Sequence, residues 1–340
     1  MTTAPHNDDS NSYLWDRSGD VDPAVADLER VLGPLAYRPA DRPLALPVPV
    51  TLQRRRWWPV VVALAAGLVF VTAAWLFYWR LQWPTGQPWR MAVATESGPR
   101  IDTLAVGQSL KLDANSSASV DIARLGTMTV RPGAEITLRT TGTRRHQLRL
   151  DRGAVNIRVW APPQRVFVAT PAGNIIDLGC TFTLAVDDSR ITRLAVQTGW
   201  VQMENVHGES LVPAGASSVM TADRSPLVPL YDDASPEFQR AVRAFETRVA
   251  DDNVAAELAT IRRDARVRDM LTLLMLAVRE RGSLRAPLLE HAATLSAPPR
   301  TLSGNPAAFD NDAIWEWRGS LPLPPPKAWW RNWADIFPAR

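Results

Sequence analysis

The chain has 340 residues, of which 46% are hydrophobic and 21% charged, so a disordered chain is excluded and there is material for about two packed domains. A lone Cys180 excludes a disulfide-stapled scaffold and a thiolate zinc cluster, and His6, His146, His207 and His291 show no metal-ligand spacing. The formal charge of +3 is small, and the position of the charges says more than their sum.

The N-terminal arm is acidic. Residues 1–35 carry Asp8, Asp9, Asp16, Asp20, Asp22, Asp27 and Glu29 against Arg17 and Arg30. Asp22-Pro23 reads as N-cap and first helical position. Leu28, Val31, Leu32 and Leu35 then recur at helical spacing and define one apolar face, with Gly33-Pro34 fraying or ending the helix. Tyr13, Leu14 and Trp15 form a second apolar cluster. Segments this short cannot bury these residues by themselves. Two readings stay open: a solvated tail, or an arm (residues 1–38) that folds on a basic partner such as a DNA-binding protein.

A Pro/Arg-rich linker occupies 39–56, with Pro39, Pro43, Pro47 and Pro49 and the triplet Arg54-Arg55-Arg56. From Trp57 to Trp79 the sequence is uncharged and flanked by aromatic residues, which predicts a transmembrane helix. Arg is denser before the run than after it, which predicts a single pass with a cytoplasmic N-terminus and a C-terminal part beyond the membrane.

Residues 80–103 read as a linker. Over 104–222 the pattern becomes short alternating runs, among them Val120/Ile122, Met128/Val130, Ile136/Leu138, Leu148/Leu150, Phe182/Leu184 and Leu194/Val196, with Gly between them. This predicts an all-β domain. The stretch Leu148–Ile157 echoes Leu194–Met203, each read as a hairpin closing on Gly153 or Gly199, which favours a solenoid-like stack of hairpins.

Within this region Thr170-Pro171-Ala172-Gly173, Gly179-Cys180-Thr181-Phe182, Val196-Gln197-Thr198-Gly199-Trp200-Val201 and Ala214-Gly215 occur in order. Together they resemble the periplasmic domain of FecR-like transmembrane sigma-factor regulators, over roughly residues 100–222. The arm and the position of the apolar run resemble one branch of that family. Cys180 stands where the family has Thr, and reads as a small buried strand residue. The resemblance implies an inner-membrane protein, with an extracytoplasmic-function sigma factor as the cytoplasmic partner of the arm and a periplasmic or outer-membrane signalling protein or ligand outside. Tyr13, Leu14, Trp15, Leu28, Val31, Leu32 and Leu35 would hold the sigma factor. Thr170, Pro171, Gly173, Gly179, Cys180, Phe182, Gly199 and Gly215 have structural roles, since turns and cores account for them.

Beyond the β region, 235–297 reads as a helical bundle. One helix starts at Ser235-Pro236-Glu237, and others cover Asn253–Ala265, Val267–Arg281 and Ser283–Leu295. A Pro/Trp-rich tail occupies 298–340, with Trp315, Trp317, Trp329, Trp330 and Trp333 around Pro322-Leu323-Pro324-Pro325-Pro326. Docking of this tail back on the bundle is expected, because exposed Trp would promote aggregation. The small α/β receiving domain of better-studied relatives is missing from this pattern. No HExxH, GxSxG, GxGxxG or P-loop is present, so an enzyme, a cofactor and direct nucleic-acid binding are not expected. The alternative function is an envelope structural or binding protein whose β domain holds glycan or protein, without a sigma factor.

Overall fold

The computed structural model describes residues 18, 20–36, 58–96, 98–248, 254–280 and 282–324. The chain forms two units, 1–65 and 66–340. In the first, helix α1 (Pro23–Leu32) starts on Asp22, whose carboxylate accepts the Ala24 N–H at 2.8 Å, with Pro23 preset for the first turn. A 3₁₀ turn, Gly33–Leu35, follows directly. Tyr13, Leu14 and Trp15 lie outside the described residues.

Helix α2 runs Trp58–Leu81. Among the described residues no helix is long and apolar enough to cross a membrane. The expected transmembrane helix at 57–79 is corrected on this finding, and with it the single-pass topology and the inner-membrane location.

The solenoid-like stack of hairpins is corrected as well. Among the described residues, fifteen strands form one mixed sheet folded into two layers that share a single long strand. In the first layer the order is β2 (Gly98–Leu104), β1 (Trp89–Thr95), β4 (Ser117–Ile122), β5 (Gly126–Val130), the second half of β7 (His146–Val159), β10 (Thr181–Val186), β11 (Thr192–Thr198), β14 (Ala216–Met220) and β15 (Leu230–Tyr231). In the second it is β3 (Ser109–Lys111), β6 (Glu135–Thr140), the first half of β7, β8 (Val166–Thr170), β9 (Gly173–Asp177), β12 (Trp200–Asn205) and β13 (Gly208–Pro213). All pairs are antiparallel except β7–β8. The first hairpin, β1–β2, lies inside the segment expected to be a linker.

Two glycines turn the layers into each other. Gly153 does not close a hairpin; it lies inside β7, between Leu150, which pairs with β6, and Val155, which pairs with β5 and β10. Its φ is +85°, and a Cβ there would stand 2.4 Å from the Ala134 Cα. Gly199 (φ +77°) separates β11 in one layer from β12 in the other, two strands that do not pair. A strand that passes from one layer to another needs such a bend, and a positive φ costs least at Gly.

The alternating residues face inward. Val120, Met128, Ile136, Leu138, Leu148, Leu150, Val155, Ile157, Phe182 and Leu184 are completely buried in one core between the layers. A second core joins the sheet to five helices: α3 (Pro236–Thr247), α4 (Ala255–Asp264), α5 (Met270–Arg279), α6 (Arg285–Leu295) and α7 (Asn311–Ser320). Trp200 of β12 and Leu230 of β15 belong to this second core, so the helices pack on the sheet as well as on one another. Helix α3 is capped by Ser235 and buries Phe238, Val242 and Phe245 on one face. Helix α5 is buried almost all round, which explains its nearly continuous apolar sequence. Trp317 of α7 is fully buried, edge-on to Phe309. Trp329, Trp330 and Trp333 lie outside the described residues.

Candidate functional site

The sequence places its partner-binding residues on α1, and the structure leaves their apolar face uncovered. Leu28, Val31, Leu32 and Leu35 are 60, 70, 49 and 80% exposed. None of the residues of α1 or of the turn after it is buried. The polar side of the helix is organised by an Asp27–Arg30 ion pair one turn apart. Asp20, Asp22 and Glu29 add exposed acidic groups. The result is a short amphipathic helix with aliphatic side chains on one face and carboxylates around it. Such a surface has the form of a helix that docks in a groove, read through anchors at i, i+4 and i+7.

The motif residues of the β region serve the backbone. Thr170 and Gly173 bracket the two-residue turn Pro171-Ala172 between β8 and β9. The Thr170 hydroxyl donates to the Gly173 carbonyl at 2.9 Å and accepts from the Thr192 hydroxyl at 2.9 Å. A Cβ on Gly173 would stand 2.3 Å from the Glu204 carbonyl, so only Gly fits that approach. Asp177 is 1% exposed, and its Oδ1 accepts the Cys180 N–H at 2.9 Å and meets the Cys180 thiol at 2.5 Å. This pair lies in the bend at Gly179 (φ +90°) that leads into Phe182. Gly199 passes against Cys180, where a Cβ would stand 3.0 Å from the Cys180 Cβ. The two residues share one tight corner. Gly215 (φ +77°) donates its N–H to Val196 and accepts from Asp232. These residues are therefore brought together in part: Gly179, Cys180 and Gly199 at one corner, and Thr170 and Gly173 at a hairpin tip.

That tip borders an open cleft of about 740 Å³, lined by Thr170–Asn174, Glu204–Val206, Gly208, Glu209 and Ala222. Its Gln202–Glu204–Glu209 border is hydrogen-bonded within itself, Gln202 donating to both carboxylates at 3.2 and 2.9 Å. Its lining residues include no Cys, Ser, Lys or His, so no nucleophile and base pair is offered there. Among the described residues no group of three or more His, Cys, Asp or Glu is placed to hold a metal ion.

Two buried titratable groups were not legible as such in the sequence. His146 is fully buried, and Thr141 joins its Nδ1 at 2.8 Å to the Trp89 indole, which donates to the same hydroxyl at 2.9 Å. Burial first, and the neighbouring Arg165 second, lower the His146 pKa to about 4. Glu246 of α3 accepts the Val228 N–H at 2.9 and 3.1 Å and the Arg279 guanidinium at 2.8 Å. Burial pushes its carboxyl above the usual range, against the pull of Arg279. Both groups join elements of the fold.

No family model matches the chain. No curated protein matches it either. Two solved structures are similar to part of it, both crystal structures of a putative anti-sigma factor from Parabacteroides distasonis ATCC 8503. The first is 13% identical with a TM-score of 0.33, the second 12% identical with a TM-score of 0.32. In each case the match covers 39% of this chain and 63% of the other. The chain thus spans less than two thirds of the length of these neighbours, and likeness at this level decides neither fold nor function.

Proposed function

We propose that the protein is a sigma-factor regulator of the anti-sigma type, with α1 as its sigma-binding element. One observation carries the reading. Leu28, Leu32 and Leu35 form an aliphatic stripe on a capped helix, and the stripe is exposed to solvent. Exposed aliphatic residues in register gain free energy by being covered, and a carboxylate-rich surround favours a basic partner. A sigma factor, which binds DNA, has that chemistry. The ordered motifs that resemble the FecR-like domain support the same reading, with the two-layered sheet as the part that receives the signal. No catalytic step is assigned to it.

The test is calorimetric titration of the full chain with an extracytoplasmic-function sigma factor encoded beside its gene. Leu28→Asp combined with Leu32→Asp puts two charges into the stripe, and binding is expected to weaken at least about a hundredfold, by several kcal/mol. Equal binding by the parent and the double variant would remove α1 from the interface. Failure of the parent to bind would remove the sigma factor.

A further inference from the structure

The end of the described chain is a strap. After α7 the residues Leu321-Pro322-Leu323-Pro324 leave the helix and reach Trp200, the first residue of β12. Leu321 has φ −69° and ψ 147°, the polyproline II values. Leu323 N–H donates to the Leu321 carbonyl at 2.8 Å, bending the strap at Pro322. Leu321 and Leu323 pack against the second core. The Trp200 indole N–H donates to the Pro324 carbonyl at 2.7 Å, across 124 positions of sequence.

The surface under the strap is aromatic and cationic. Arg318 lies 5.7 Å from the Trp200 ring centroid, and Arg268 lies 4.5 Å from the Tyr231 ring centroid. Beside the strap is a mostly apolar cleft of about 470 Å³, walled by Tyr231, Val267, Arg268 and Met270 opposite Leu321–Pro324. Aromatic plates, an indole donor aimed at a proline carbonyl, and shallow apolar space are the parts with which proteins hold proline-rich segments. Proline already fixes φ, so little conformational entropy is lost on capture. The cleft leaves room for more peptide than the strap fills.

We propose that the Trp200–Tyr231 face is a recognition site for a proline-rich segment of a partner protein, kept occupied in cis by Leu321–Pro324. The strap is then an internal competitor, and a partner segment of the same Leu-Pro character gains access when the strap leaves. This assignment is independent of the sigma-factor reading, since it concerns the opposite end of the chain.

The probe is a synthetic peptide of residues 319–326, Gly-Ser-Leu-Pro-Leu-Pro-Pro-Pro. Two hosts open the site: the chain ended after Ser320, and the full chain with Leu323→Asp. Both are expected to bind the peptide, and the full parent chain at least about tenfold more weakly, since its site is already filled. Trp200→Phe in the opened chains keeps a ring but removes the donor, and is expected to weaken binding about tenfold. A peptide with both Pro322 and Pro324 replaced by Gly should bind more weakly than the parent peptide. Equal binding by parent and opened chains would overturn occupation in cis. Folded opened chains that ignore the peptide would overturn recognition. If neither opened chain folds, the strap is a fixed part of the core and the proposal fails.

Discussion

The two-layered sheet and α1 treat the same residue types in opposite ways. In the sheet, aliphatic side chains at every second position disappear completely into a core, as Leu148, Leu150, Val155 and Ile157 do along β7. On α1, aliphatic side chains at helical spacing stay in solvent. The sheet explains its own sequence, because each inward residue meets another. The apolar face of α1 is not buried, and under the proposed function it is the partner that meets it. That contrast separates residues that hold the fold from residues that remain available for binding.

The strongest way to break the contrast is at a corner of the sheet. Gly153→Val adds side-chain atoms where Ala134 already stands and forces a β-branched residue to positive φ. A loss of about 4 kcal/mol or more is expected in denaturant unfolding. A loss below about 1 kcal/mol would mean that β7 does not bend there as described. Next comes Glu246→Ala, which strips the partner from Arg279 and from the Val228 N–H. Arg279 is only partly buried and keeps the Glu209 carbonyl at 3.2 Å, so the expected loss in the same unfolding measurement is up to about 3 kcal/mol.

His146 sharpens the contrast through pH. Its folded pKa of about 4 lies below its ordinary 6.5, so the folded state holds it neutral. The contribution is complete above pH 6.5 and is lost as pH falls from there through about 4, amounting to about 3 kcal/mol. His146→Gln removes that titration, so the variant should show a flatter stability profile between pH 6.5 and 4 than the parent. An unchanged slope would locate the acid sensitivity elsewhere. The smallest effect belongs to α1. Leu28→Asp with Leu32→Asp should change thermal stability by no more than about 0.5 kcal/mol, because neither residue is buried. A large loss would show that the stripe is part of the fold.

The sequence made some of this readable and hid the rest for physical reasons. Period-two alternation marked the inward residues of the strands, since burial on one face leaves that imprint locally. The Asp22-Pro23 start of α1 and the Ser235-Pro236 start of α3 were readable because caps are local. The meaning of Gly153 and Gly199 was not. A glycine with positive φ serves a hairpin or a layer-changing corner equally well, and only long-range pairing separates the two: that of β7 with β5, β6, β8 and β10 for Gly153, and that of β11 with β10 and β14 but β12 with β9 and β13 for Gly199. The parallel β7–β8 pair is non-local in the same sense. The apolar run at 57–79 gave a helix, α2, but hydropathy alone overreached in making it a span. At the candidate sites, the α1 stripe was visible as spacing. Trp200 was visible only as one position of a motif, and nothing local pointed to its bond with Pro324.

The central claim is that the exposed face of α1 is covered when the protein meets its partner. Amide hydrogen exchange of the full chain, with and without the extracytoplasmic-function sigma factor encoded beside its gene, tests it most directly. The account predicts that residues 22–36 exchange freely alone and become strongly protected in the complex, while the sheet core remains protected throughout. Stable complex formation with unchanged exchange over residues 22–36 would contradict it.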